Sequence, residues 1–225
     1  MRLETNERKR VPARVLIVDD HPLVREGLAA RIARYPDLEL CGEAEDVPGA
    51  MTAVASLDPD VVIVDLSLKR GDGLDLVKRL HLRKNPVAVL VSSMHDEMVY
   101  AERVLEAGAL GYVDKQEAPE KLIEAIRTVL AGKVYLSARM TERLVARHAR
   151  GQPGETPSPV SSLTDRELEV FRLIGGGLTT REIAERLGLS VKTIESHREN
   201  VKSKLRVRSA AELTHTAVQW VIANP

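Results

Sequence analysis

Residues 61–73 read VVIVDLSLKRGDG. Four β-branched residues, Val61 to Val64, stop abruptly at Asp65. A short run of this kind, closed by turn-forming residues, is the pattern of a strand buried on both faces. Arg14–Val18, Val87–Val91 and Leu110–Val113 repeat it, and Leu38–Ala44 is a weaker version. Helix-like stretches alternate with them, at Leu23–Tyr35, Val47–Leu57, Leu74–Lys84, Met98–Ala107 and Pro119–Ala131. Alternating strands and helices argue for βαβ units. Residues 13–132 are therefore expected to form one α/β domain, a five-stranded parallel, doubly wound sheet.

In such a sheet, ligands collect outside the carboxyl ends of the strands, where the strand order reverses. Here those ends carry reactive groups. The first strand runs into Asp19 and Asp20, the third into Asp65, the fourth into Ser92 and Ser93, and the fifth into Asp114 and Lys115. Any one of them could be a helix cap or a solvated side chain; together they describe a crevice. Clustered carboxylates repel and would hold protons unless a cation intervened. Mg²⁺, a hard ion that prefers oxygen and keeps several waters, fits that need. A carboxylate beside it could attack a phosphoryl donor and become an acyl phosphate. Lys115 and the metal would neutralise the phosphoryl oxygens, and a Ser hydroxyl would donate a hydrogen bond.

No apolar run approaches the ~18–20 residues that span a membrane, and the opening MRLETNERKR lacks the apolar core of a signal peptide. Cys41 is the single cysteine, which excludes an internal disulfide and a cysteine-based zinc site. A cytoplasmic protein is expected. Net charge is zero but uneven: residues 13–132 hold 14 basic and 21 acidic side chains, whereas residues 161–225 hold 10 and 8. An acidic front and a mildly basic back suggest two modules with different partners.

Between them, HARGQPGETPSPVSS (148–162) is rich in Pro, Gly and Ser and reads as a flexible linker. The expected division is a tail at 1–12, the α/β domain at 13–132, a linker at 133–160 containing a helix at 137–150, and a final domain at 161–225. That last domain shows no strand signal. Capping boxes start at Thr164, Thr179 and Ser209, each with Glu three residues later, and Ser190 is a further N-cap. Four short helices are expected, at 165–175, 180–187, 191–205 and 210–222. Gly188 leaves only Leu189 and Ser190 between the second and third, the tight turn of a helix-turn-helix unit.

The third helix places Val191, Ile194, Val201 and Leu205 on one stripe, which should face the core. Its opposite stripe suits a major groove. Glu195, Ser196 and Glu199 are candidates for base edges, since Glu accepts from cytosine N4 and Ser reads either kind of edge. Ser190, Lys192, Thr193, His197, Arg198, Lys202 and Lys204 are candidates for phosphate contacts, with backbone contacts at Thr179 and Thr180. In the last helix, Leu213, Ala217, Val218 and Val221 share a face with Trp220 beside it; core and two-fold interface both fit that surface.

These motifs carry a resemblance. VLIVDDHPLVREGL, DVVIVDLSLKRGDGLDL, VLVSSMHDE and EAGALGYVDK look like a bacterial response-regulator receiver domain, with its flavodoxin-like fold. LTDRELEVFRLIGGGLTTREIAERLGLSVKTIESHRENVKSKL resembles a LuxR-type DNA-binding domain. Together, over about 13–132 and 161–222, the chain is similar to the NarL/FixJ family of two-component transcription regulators. The resemblance implies that Asp65 is the phosphoacceptor. It implies that Asp20, Asp65 and the Ser67 carbonyl ligate Mg²⁺, that Asp19 acts through a metal-bound water, and that Ser93, Lys115 and Tyr112 complete the phosphate site and switch. It also implies a sensor histidine kinase, promoter half-sites in double-stranded DNA and a homodimer as partners. Lys69, followed by Arg70, stands where the family usually has Pro, which frees a φ angle and adds an N–H donor.

The implied mechanism is a switch. Phosphate on Asp65 would pull Ser93 toward it, let Tyr112 turn inward, and release a recognition helix that the receiver shields at rest. Two other readings stand beside it. In one, the receiver is only a phosphate-independent dimerisation scaffold, which Lys69 hints at. In the other, the acidic pocket belongs to a Mg²⁺-dependent aspartyl-phosphate phosphatase, but the second acid/base carboxylate which that chemistry needs two residues after the nucleophile is Ser67.

Overall fold

The structure, a computed structural model, describes residues 11–68, 71–149 and 159–223. Lys69, Arg70, nearly all of the N-terminal tail and the middle of the linker lie outside the described residues. The front half is the expected sheet: β1 (Ala13–Val18), β2 (Leu38–Ala44), β3 (Val61–Val64), β4 (Ala88–Ser93) and β5 (Gly111–Asp114), in the order β2-β1-β3-β4-β5. All neighbouring strands pair in parallel. β4 runs two residues beyond the expected end because Ser92 and Ser93 continue the ladder opposite Val113 and Asp114.

Successive strand residues point to opposite faces. Leu16, Val18, Val62, Val64, Val89 and Val91 therefore pack under α2 (Val47–Leu57), α3 (Gly73–His81) and α4 (Glu97–Glu106). Val15, Ile17, Val61, Ile63, Leu90 and Val113 pack under α1 (Pro22–Ile32) and α5 (Pro119–Leu130). With both faces covered, the strands need no polar alternation, which is why they read as unbroken apolar runs.

The segment after α5 is less linker-like than its composition suggests. Tyr135 pairs with Gly111 at the free edge of β5, its N–H bonded to Leu110 O and its carbonyl accepting from Tyr112 N–H. α6 (Ala138–Ala149) follows, with Met140 fully buried and the Glu97 carboxylate accepting from both the backbone N–H and the hydroxyl of Ser137. Arg143 bonds to the Met98 carbonyl. The far end of the linker is also ordered: a 3₁₀ turn, Pro159–Ser162, buries Val160 and leads into the buried Leu163.

The final domain is all-helical: α7 (Asp165–Gly175), α8 (Thr180–Leu187), α9 (Val191–Leu205) and α10 (Ala210–Ala223). Thr164 and Thr179 close both bonds of their capping boxes. Ser209 accepts from Glu212 N–H, but the Glu212 carboxylate reaches Arg208 N–H instead of the cap. Phe171, Ile183, Ile194, Val201, Leu213 and Ala217 form the core, and the Trp220 ring lies 5.7 Å from that of Phe171, tilted by 53°. Gly175 lets α7 approach α10: a Cβ there would lie 2.4 Å from the Ala217 carbonyl oxygen. Val191 departs from the expected core stripe, being 41% exposed at the first turn of α9.

α7 also packs on the receiver. Asp165 pairs with Lys78 of α3 at 2.5 Å and with Arg103 of α4 at 3.0 Å, and Arg103 donates to the Leu163 carbonyl. The junction closes over a cavity of about 30 Å³ lined in part by Asp72, Tyr100, Leu168 and Glu169. On α9, Glu195, Ser196 and Glu199 are exposed. The front domain thus meets the helical domain at α7 and leaves these three side chains open to solvent.

Two consequences can be measured. A Cβ on Gly73 would lie 2.2 Å from the Asp65 carbonyl oxygen and 2.6 Å from Leu66 Cα, both backbone atoms that cannot step aside. Gly73→Ala should cost about 1–3 kcal/mol in denaturant unfolding. The Glu169 carboxyl is pushed up from 4.5 to about 7, by burial first and then by Asp72, against the Arg166 ion pair. A carboxyl with a raised value favours the docked state when protonated. Glu169 makes docking loosen as pH rises from about 4.5 through about 7, while His95, held at about 3 beside Arg172, works the other way below about 6.5. Small-angle scattering should show the full chain expanding between pH 6.5 and 8, and Glu169→Gln should remove that dependence.

Candidate functional site

The sheet ladder delivers the acidic residues to one place. Asp19 N–H bonds to Ala44 O, Asp65 N–H to Val18 O, and Lys115 N–H to Ser93 O, so each lies one step past its strand, still in register with the next. The order change between β2-β1 and β3 puts the ends of β1 and β3 side by side. Asp19, Asp20, His21 and Asp65 each offer a ligand atom, and these atoms lie within 4.8 Å of one another. The three carboxylates are buried, 2%, 5% and 3% exposed in chain order. Asp114, which the sequence also placed at a strand end, instead caps its own turn by accepting from Gln116 N–H.

Lys115 holds the cluster. Its ammonium lies 2.7 Å from Asp19 Oδ2 and 2.8 Å from Asp65 Oδ2. Burial alone would lower its pKa, but the Asp65 and Asp19 carboxylates outweigh that and hold it above its usual value. One cation does not satisfy three carboxylates. Asp65 Oδ1 is buried and has no hydrogen-bond partner among the described residues. An unsatisfied buried carboxylate oxygen, facing other acidic oxygens within a few ångströms, is the donor set a hard divalent cation requires. The residues present therefore fit Mg²⁺.

The switch positions are assembled around His95. Ser93, fully buried, accepts from His95 N–H at 3.4 Å, and the Tyr112 hydroxyl donates to the His95 carbonyl at 2.6 Å. Tyr112 is only 1% exposed, so the inward turn expected on phosphorylation is already made. Burial raises the pKa of its hydroxyl. The His95 ring stacks on Tyr100 at 5.0 Å and lies 2.8 Å from Ser67 Oγ. Burial, then the charges of Arg172 and Lys115, push His95 down to about 3, so it is neutral near pH 7.

Sequence reading did not find His21, His95 or Arg172. His21 sits beside the DD pair, bonding to Asp19 Oδ1 through its N–H and lying 2.7 Å from Asp20 Oδ1 through Nδ1. His95 follows Ser93 by two positions, a weak signal. Arg172 has none: its contacts with Ser67 and His95 span 105 and 77 residues.

On the DNA-reading side, the structure sorts the candidates. Lys192, Glu195, Ser196 and Glu199 are exposed, while Thr193, His197, Arg198 and Lys202 are half-buried. The hydroxyls of Ser190 and Thr179 are used as N-caps, accepting from Thr193 and Glu182 N–H, which leaves the α8 and α9 starts, Thr180 included, to offer backbone donors. Lys202 is paired with Glu199 at 2.9 Å. Lys204, also a candidate phosphate contact, lies 2.6 Å from the buried Glu167 carboxylate and ties α9 to the start of α7. Lys204 and the capping bonds from Thr164 overcome burial and hold Glu167 below its usual range.

Known proteins agree with this geometry. Residues 15–127 match the family described as "Response regulator receiver domain", and residues 161–217 match "Bacterial regulatory proteins, luxR family". Transcriptional regulatory protein LiaR of Bacillus subtilis is 38% identical over 196 residues, covering 86% of this chain and 91% of LiaR. Response regulator UvrY of Escherichia coli is 33% identical, covering 93% of this chain and 95% of UvrY. Among solved structures, RcsB of Salmonella enterica serovar Typhimurium bound to promoter P1flhDC with the phosphomimetic BeF3⁻ superposes with a TM-score of 0.68 at 29% identity, covering 92% of this chain and 98% of RcsB. The chain belongs to the NarL/FixJ family of two-component response regulators, transcription regulators that join a receiver domain to a LuxR-type helix-turn-helix DNA-binding domain.

Proposed function

We propose that this chain is phosphorylated on Asp65 by a sensor histidine kinase and that the modification controls dimerisation and promoter binding. The observation that carries the reading is the buried Asp19–Asp20–Asp65 cluster, clamped by Lys115 but with Asp65 Oδ1 still lacking a partner among the described residues. That oxygen is the nucleophile. It attacks the phosphorus of the donor, the bond from phosphorus to the donor breaks, and the donor leaves with the electron pair. Lys115 stays close enough to neutralise a phosphoryl oxygen, and the Ser93 hydroxyl, by leaving its bond to His95 N–H, becomes available as a donor. Bound Mg²⁺, held by Asp20, Asp65 and the Ser67 carbonyl with Asp19 acting through water, would supply charge neutralisation to the transferring phosphoryl group. His21 and Asp19 orient the rim of that site.

Because Tyr112 is already inward and α9 is already exposed, activation works through the α7 contact and through pairing of two chains. RcsB supports this reading, since it is described as two dimers bound to two parallel DNAs. A chain with two Glu on its reading face binds one half-site weakly, and two-fold pairing places two such helices about one DNA turn apart. The family is one of DNA-binding regulators, and the single nucleophile without a second catalytic carboxylate supports stoichiometric phosphorylation over turnover of phosphomonoesters.

Radiolabelled acetyl phosphate with Mg²⁺ should label the parent chain on one site, and Asp65→Asn should take up no label; equal labelling of the two would refute the assignment. Absence of label on the parent would favour the phosphate-independent scaffold. On DNA, Glu195→Ala or Ser196→Ala should lower affinity for the selected promoter site by about 1–3 kcal/mol per base contact and relax the preferred sequence there. Lys192→Ala should weaken all sequences alike and reduce the salt dependence by about one unit of slope.

A further inference from the structure

The α7 contact and the acidic pocket meet at a single side chain. One nitrogen of Arg172, Nη1, lies 2.9 Å from His95 Nε2 and 3.2 Å from Ser67 Oγ, and those two acceptors are 2.8 Å apart. A guanidinium only donates, so His95 Nε2 and Ser67 Oγ accept from it. Ser67 follows Asp65 by two residues at the end of β3, and His95 follows Ser93 by two at the end of β4. A residue of the DNA-binding domain thus bridges both lips of the pocket.

His95 is placed to pass a movement across that bridge. Its N–H bonds to Ser93 Oγ, its carbonyl to the Tyr112 hydroxyl, and its ring to Ser67 and Arg172, with Tyr100 stacked behind. Every group proposed to respond to phosphate, apart from Lys115, touches His95. When Ser93 turns its hydroxyl toward a phosphoryl group on Asp65, it gives up the long 3.4 Å bond from His95 N–H. That bond is made by the His95 backbone, whose carbonyl and ring are also held, so its loss shifts the residue as a whole, because tightly packed groups move between discrete arrangements.

We propose that His95 and Arg172 are positioning residues that couple phosphorylation of Asp65 to release of the DNA-binding domain. The Arg172–His95–Ser67 triangle is the latch. The salt links from Asp165 to Lys78 and Arg103 add affinity between the domains at a distance from Asp65, whereas the triangle joins the two lips of the acidic pocket directly. Removing either end of the Arg172–His95 bond leaves the acidic cluster and Lys115 in place, so chemistry and release come apart.

The inference rests on Asp65 as phosphate acceptor, and the test separates the two. The full-length parent, Arg172→Ala, His95→Ala and the double variant are each labelled with acetyl phosphate, and promoter affinity is measured with and without beryllofluoride and Mg²⁺. If the parent takes no label, the acceptor assignment fails, and the latch with it. If the parent is labelled, each single variant should keep its label while the beryllofluoride-induced gain in affinity collapses toward one, by a rise in affinity of the untreated protein. The double variant should add nothing, because both changes remove the same bond. Arg172→Lys, which keeps the charge and one donor, should restore part of the gain; this guards against a variant that simply folds poorly. A gain equal to the parent's in Arg172→Ala overturns the proposal, as does loss of labelling in that variant, which would place Arg172 in the chemistry.

Discussion

The ammonium of Lys115 lies within 2.8 Å of two buried carboxylates, Asp19 and Asp65, and the rest of the pocket depends on that bridge. Carboxylates taken out of water at such close range repel strongly and are tolerated only with compensating positive charge. Lys115 supplies one charge to a cluster of three carboxylates. The imbalance suits the site to a hard divalent cation. The sheet fixes the imbalance in space: β1 and β3 are neighbours only because the strand order reverses beside them, and β5 brings Lys115 in from the other side.

The same scaffold explains how a local charge change reaches another domain. Ser93 and Tyr112 sit on adjacent strands, opposite Asp114 and Val91, and both are bonded to His95. α4 begins immediately after that residue and carries Tyr100, Arg103 and Glu97. Tyr100 supports the His95 ring, Arg103 holds the start of α7, and Glu97 holds the start of α6. α4 is therefore clamped at both its faces by segments that belong to the output side of the molecule, and any shift of the loop before it is felt by α6 and α7 together.

Much of this was legible in the sequence. The central strands announce themselves because burial on both faces favours apolar, β-branched runs, with the edge strand β2 fainter, and the helices of the small domain announce themselves through Thr164, Thr179 and Ser190, whose capping bonds need particular side chains at fixed spacing. The acidic cluster follows once strand ends are known, since topology alone brings Asp19, Asp20 and Asp65 together. What could not be read was tertiary. Tyr135 pairs with β5 through backbone atoms alone, a contact with no side-chain signature. Met140 looks like one apolar residue in a basic helix until α4 is seen beneath it. Lys204 reads as a free cation of a DNA-binding surface and Arg172 carries no signal at all, yet each meets a partner, Glu167 and the Ser67–His95 pair, whose position depends on how helices and domains pack.

The central claim is that the ends of β1 and β3 form one divalent-cation site around the acceptor carboxylate. Diffraction from crystals grown with Mn²⁺ in place of Mg²⁺, recorded at the manganese absorption edge, tests it most directly. A single anomalous peak in direct coordination, at about 2–2.3 Å, with carboxylate oxygens of both Asp20 and Asp65 and with the Ser67 carbonyl is the predicted result. A peak bound elsewhere on the acidic front half, or no peak at millimolar metal, would contradict the account.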